Sequence, residues 1–219
     1  TVNRILDAFR RKEKTSARIR IHPTSPPAEK VTVGVIGAGN YAKATFLPVM
    51  RKNKNTSLIG IASINGVNAQ HAASKFGFEY ATSSAQEILE DKNINSIVIM
   101  TRHNEHATLA LQALKKGKNV YCEKPLALNL EALAEIEAAL TKSKTPLLMV
   151  GFNRRFAPLA LQLKNFFSDR SEPLYAHYCV NAGFLPANHW LHDPVQGGGR
   201  IIGEGCHFID FLTWLVEQL

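Results

Sequence analysis

The feature that most constrains this chain is a glycine loop set between a strand and a helix. Val31–Ile36 is short, apolar and β-branched, and it runs straight into Gly37-Ala38-Gly39-Asn40-Tyr41-Ala42. In a G-x-G-x-x-A turn the first glycine permits the tight bend and the second lets backbone approach a pyrophosphate. The small last residue lets the next helix pack on the sheet with its N-terminal amides toward the phosphates. Placed after a strand and before a helix, the loop points to a dinucleotide site, with a plain structural turn as the alternative.

Beyond the loop, strands and helices alternate. Leu58–Ala62 reads as a second strand. Asn68–Phe76 puts Ala69, Ala72, Ala73 and Phe76 on one helical face, stopped by Gly77. Ser84-Ala85-Gln86-Glu87 reads as a capping box. Ser96–Met100 is apolar throughout, as suits a strand buried on both faces of a parallel sheet. Ala107, Ala110, Leu111 and Leu114 make a helix closed by Gly117, and Asn119–Glu123 follows as a strand. Leu133, Ile136 and Leu140 mark another helix before a strand at Pro146–Phe152. This order predicts an α/β fold with a Rossmann-type doubly wound parallel sheet over residues 31–150.

From Gly151 the pattern changes. Pro158 opens a helix carrying Leu159, Leu163 and Phe166, and Leu174–Asn181 alternates like a half-exposed strand. Gly197-Gly198-Gly199 then precedes a helix with Ile201, Gly205, Phe208, Leu212 and Leu215 in register. Residues 151–219 are expected to begin a second α/β domain that is truncated here. Residues 1–30, basic and then proline-rich, read as a connector.

Composition removes several classes. The 219 residues are 45% hydrophobic and 20% charged, with a mean hydropathy of −0.10. The apolar runs are strand-sized, well short of the roughly 20 residues of a membrane span, so no membrane partner is expected. Residues 1–30 show no apolar core of a secretory signal. Of 26 Lys/Arg and 18 Asp/Glu they hold 8 and 3, so most of the +8 net charge belongs to that segment. Without a recognition helix or interleaved aromatics, that basicity does not predict a nucleic-acid partner. Cys122, Cys179 and Cys206 form no CxxC and leave one thiol over, which suits a reducing cytoplasm.

A dinucleotide site of this kind usually ends its second strand in Asp or Glu, which bonds the ribose hydroxyl of NAD. Here Ser63-Ile64-Asn65 stands there, with no arginine for a 2′-phosphate. Ser63 and Asn65 remain as hydroxyl partners, and NAD and NADP both stay open.

Five ordered motifs carry a resemblance. Val33–Ala42, Thr101 with His106, Glu123-Lys124-Pro125, Gly151-Phe152-Asn153-Arg154-Arg155-Phe156, and Gly197–Gly199 followed by His207 and Asp210 resemble those of the Gfo/Idh/MocA oxidoreductases. Asn65-Gly66, Thr101-Arg102-His103 and Gly203–Phe208 resemble more narrowly the C-terminal half of bi-domain members, in which a zinc-alcohol-dehydrogenase-like half comes first. The resemblance implies NAD(P)-dependent oxidation or reduction of a sugar or cyclitol. It also implies a covalently linked N-terminal domain and a homo-oligomer in the complete protein. Lys124 and His207 take the places of the family's catalytic lysine and histidine. Thr101, Arg102, Glu123, Lys124 and Arg155 fall among its cofactor contacts, with the loop Gly37–Ala42. The family's Asp four residues before the histidine falls on Gly203, a departure.

Helical spacing puts Glu204 and Asp210 three residues either side of His207, within reach of its ring and so candidates for the catalytic group. A carbinol losing hydride needs a base for its proton, which suits His207, and Lys124 would stabilise alkoxide charge. The competing reading is a hydrated polar stripe opposite Ile201, Phe208 and Leu215. His103/His106 and His189/His192 have metal-like spacing but lack a third ligand, so no metal is expected. His103 and His106 instead follow a strand's carboxyl end and should line the nicotinamide end of the cleft. Besides an oxidoreductase, a nucleotide-binding module without turnover and a basic nucleic-acid adaptor remain as alternatives.

Overall fold

The computed structural model describes residues 19–20, 31–142 and 146–217. The connector 1–30 therefore lies outside the described residues except for β1 (Ile19–Arg20), which pairs antiparallel with Tyr80–Ala81. The other strands are parallel: β2 (Val31–Ile36), β3 (Thr56–Ala62), β4 (Tyr80–Thr82), β5 (Ser96–Ile99), β6 (Asn119–Cys122) and β7 (Leu148–Val150). Their spatial order is β1-β4-β3-β2-β5-β6-β7. The chain winds outward from β2 to one side, then returns and winds to the other. The switch falls between β2 and β5, where open α/β sheets leave a crevice at the strands' carboxyl ends.

Both faces of the sheet are covered, which explains the unbroken apolar runs. Val98 joins the core on one face, under α1 (Leu47–Lys52) and α2 (Gly66–Phe76), with Val35, Ile61, Ala73 and Phe76. Its neighbours Ile97 and Ile99 join the other core, beneath α3 (Ala85–Glu90), α4 (His103–Lys115) and α5 (Leu130–Lys142). Alternate side chains thus each find a hydrophobic layer.

Two local expectations change. Ser84 makes no side-chain capping bond. Its amide instead donates to Thr82 Oγ1 at 3.1 Å, which draws the turn toward β4. Leu174–Asn181 forms no ladder with any described segment. Alternation prepares a strand, but only a hydrogen-bonding neighbour makes one. The segment instead leans on α7 (Cys206–Val216), with Tyr178 edge-on to Phe208 at 5.4 Å. The long helix expected after the glycines starts as a π-type turn, Ile201–Gly205, in which Cys206 N–H reaches the Ile201 carbonyl five residues back. Between these lies α6 (Pro158–Phe166), opened by its proline as expected.

Candidate active site

The glycine loop sits at the switch point. Gly37 has φ 109°, and a Cβ there would stand 2.4 Å from the Met100 carbonyl at the end of β5, so only glycine fits. Gly39 is the opposite case: exposed, with nothing within 4 Å of where its Cβ would be. Lys43 N–H closes the first turn on the Gly39 carbonyl at 3.1 Å, so the amides of the preceding residues have no helical acceptor. Open space over Gly39 and a helix N-terminus suit a pyrophosphate.

A cleft of about 580 Å³ runs from this loop. Gly37, Ala38, Gly39 and Asn40 form one wall, Ser63 and Ile64 another, and Thr101, Arg102 and Trp190 a third. Asn65 is not available there as expected. Its carboxamide oxygen caps α2, accepting from Val67 N–H (3.1 Å) and Asn68 N–H (3.4 Å). Orphan amides one turn away outcompete a distant ligand.

A second cavity, about 430 Å³, joins the loop to the chemistry. Tyr41 and Ala42 line it with His103, His106, Glu123, Lys124 and His207. His103 donates from Nδ1 to the Gly197 carbonyl at 2.9 Å, and His106 contacts the Pro125 carbonyl at 2.8 Å. Burial holds His103 down to about 4 and also lowers His106, so both rings are neutral walls. Burial pushes Glu123 above the usual carboxylate range, against a 3.0 Å bond from the Tyr121 hydroxyl and the charge of Lys124.

Lys124 and His207, 83 positions apart, meet on the walls of this cavity and of a third, about 410 Å³, toward Glu204, Arg154 and the segment 178–182. Lys124 Nζ donates to the Gly203 carbonyl at 2.7 Å. A Cβ at Gly203 would stand 2.4 Å from the tip of the Leu191 side chain and 3.0 Å from the His103 ring, so any larger residue here requires Leu191 to move. A backbone dipole holds the amine there without neutralising it. His207 Nδ1 is buried and has no partner among the described residues. Burial first, then Lys124 and Arg154, bring the imidazole down to about 4, with Asp210 opposing.

The carboxylates expected beside His207 are engaged elsewhere. Glu204 binds Arg200 at 2.6 Å, and Asp210 takes Arg155 through both oxygens. Each prefers a planar guanidinium to a neutral ring. Arg155 is thereby removed from the cofactor contacts and clasps the turn after β7 to α7. Trp190 is not among the residues expected from sequence, whereas Arg154 belongs to the Asn153-Arg154-Arg155 run that sequence offers either as surface charge or as a cofactor or substrate contact. Trp190 stands 4.8 Å from His103 edge-on and beneath the Arg102 guanidinium at 4.7 Å, at the start of a single 3-10 turn, Trp190–His192, too short to leave a periodic signal. Arg154 lines the cavity with Lys124 and His207.

A doubly wound sheet, a glycine loop at its switch point and a lysine–histidine cavity beside that loop define a Rossmann-type module with a candidate dinucleotide site. The family model of oxidoreductases with an NAD-binding Rossmann fold, Gfo/Idh/MocA, matches residues 31–152, and the chain belongs to that family. It is 33% identical over 213 residues to a levoglucosan dehydrogenase of Pseudarthrobacter phenanthrenivorans, covering 87% of this chain and 52% of that one. It is 28% identical over 192 residues to inositol 2-dehydrogenase 2 of Saccharopolyspora erythraea, covering 86% and 54%. The fold matches myo-inositol dehydrogenase from Lactobacillus casei in complex with NAD(H) and myo-inositol, with a TM-score of 0.71 at 23% identity over 85% of this chain and 54% of that. The chain thus spans just over half the length of these relatives. No helix among the described residues is long and apolar enough to cross a membrane.

Proposed function

We propose that this chain carries the nucleotide site and the catalytic pair of an NAD(P)-dependent oxidoreductase that interconverts a carbinol and a ketone on a sugar- or cyclitol-like substrate. The carrying observation is the meeting of Lys124 with His207, whose Nδ1 has no hydrogen-bond partner among the described residues, in a cavity that opens onto the glycine loop. The names of the relatives, a levoglucosan and an inositol dehydrogenase, support the substrate class.

The amides of Gly39–Ala42 hold the pyrophosphate, Ser63 meets a ribose hydroxyl, and Thr101, Arg102 and Trp190 wall the cleft. A bound nicotinamide supplies the hydride acceptor or donor. His207, neutral at physiological pH, takes the proton that leaves the substrate hydroxyl. Lys124, held toward the cavity by the Gly203 carbonyl, stabilises the oxygen as its negative charge grows. His103 and His106 exclude water without competing for protons. With neither carboxylate nor arginine at the β3 tip, discrimination between NAD and NADP is weak.

The resemblance supports a wider arrangement. Residues 31–150 form the dinucleotide domain, 151–219 begin the substrate domain, and 1–30 connect to a zinc-dehydrogenase-like half. The complete protein is then a cytoplasmic homo-oligomer. The test is titration of the full-length protein with NADH and NADPH by fluorescence, then absorbance at the reduced-nicotinamide band with a sugar and cyclitol panel. Binding with substrate-dependent absorbance change is expected. Binding with no change for any substrate identifies a module without turnover, and no binding removes the loop from function.

A further inference from the structure

The third cavity, about 410 Å³, is short of negative charge. Glu204 on its wall is taken by Arg200, and Asp210 behind it by Arg155. Lys124 donates to a backbone carbonyl, that of Gly203. Arg154 lays its guanidinium over the Phe208 ring at 4.7 Å and meets no carboxylate among the described residues. Arg154, and Lys124 with Glu123 on its far side, therefore face one space, beside a His207 ring whose buried Nδ1 has no hydrogen-bond partner among the described residues. Burial is the first cause of the lowered imidazole, and Lys124 and Arg154 add to it against Asp210. Such a cavity concentrates anions, and a guanidinium stacked on an aromatic ring is oriented to pair with a carboxylate or phosphate.

We propose that the substrate is an anionic polyol, a sugar bearing a carboxylate or phosphate, whose charged group is held by Arg154 while its reacting carbinol faces Lys124 and His207. This rests on the oxidoreductase reading and narrows its substrate class. The ring of Phe208 orients the guanidinium on the cavity that His207 also lines. Specificity then arises from a charge that a neutral sugar leaves unmatched.

The test is calorimetric binding of glucuronate, galacturonate and glucose 6-phosphate, each against its neutral parent sugar, to the full-length protein with and without bound nucleotide. An advantage of about tenfold or more for at least one anionic member is expected, falling as salt is raised. The uronates and the phosphate ester tell which anion fits. Arg154→Gln should erase about tenfold of that advantage, and Arg154→Lys, which keeps charge but loses the planar fork, should retain part of it. The proposal is overturned if no anionic member binds more tightly than its parent. An advantage that survives Arg154→Gln in a folded variant also overturns it. Failure of nucleotide binding strikes at the oxidoreductase reading instead, because these calorimetric arms are also run without nucleotide.

Discussion

The sheet region, residues 31–150, and the region after it, 153–217, hold together by different means. In the first, two hydrophobic layers bury side chains such as Ile61, Ile97 and Phe78 completely. In the second, Ala160, Leu191 and Leu215 are the buried hydrophobic residues among those described, while Leu159 and Phe166 stand 77% and 79% exposed. Directional clasps take the place of a core. Arg155 grips Asp210, Lys164 donates to the carbonyls of Trp214 and Glu217, and Arg170 donates to that of Val216 at 2.6 Å. The contrast teaches that the lysine of the candidate site stands on a rigid platform, whereas its histidine is set by a few polar contacts.

Large-to-small substitutions would break this comparison most directly. Ile97→Ala should cost about 2–5 kcal/mol, as for a core cavity, and Leu159→Ala should stay within about 0.5 kcal/mol. Equal losses in urea unfolding would erase the distinction. Next in size are the two members of the site. Lys124→Met should lower turnover about a hundredfold or more, about 2.7 kcal/mol, with nucleotide affinity kept. His207→Asn should do the same from the other region. Turnover at the normal rate in either variant returns that residue to the scaffold.

A smaller effect separates the loop from the core beneath it. Gly39→Val should weaken dinucleotide binding at least about tenfold, about 1.4 kcal/mol, without moving the urea midpoint, because nothing packs within 4 Å of that site. Unchanged affinity would show that phosphate does not approach there.

The smallest effect concerns pH. His207 and His103, one from each region, are both held down to about 4. A histidine with an ordinary value of about 6.5 would limit the rate near neutrality. Here the acid limb of turnover should fall toward pH 4, since the base stays neutral until then. The linkage sign agrees: both rings are neutral when folded, so their contribution to stability is full above about 6.5 and is lost as pH falls toward 4. A rate limb near 6.5 that vanishes in His207→Asn would show the cavity to be wetter and more open than it stands.

The local pattern was sufficient for the platform. Strand, glycine turn and amphipathic helix are written within a few residues of each other, and their repetition leaves little choice but a doubly wound sheet. It also put Lys124 at a strand's carboxyl end, where the structure has it. It failed where a side chain had two partners to choose between. Spacing placed Glu204 and Asp210 near His207, and there they stand, but their hydrogen bonds go to Arg200 and Arg155. Spacing offered Asn65 to a ribose, yet it caps its own helix.

What the sequence determined by itself was therefore the order of elements and the chemistry available at their ends. Tertiary structure decided the pairings: Arg155 with Asp210 across 55 positions, Lys124 with the Gly203 carbonyl across 79, and Leu174–Asn181 without a ladder. The physical reason is range. Backbone propensity and hydrophobic period act over one or two turns, whereas a hydrogen bond or ion pair goes to whichever partner the packed elements bring within about 3 Å.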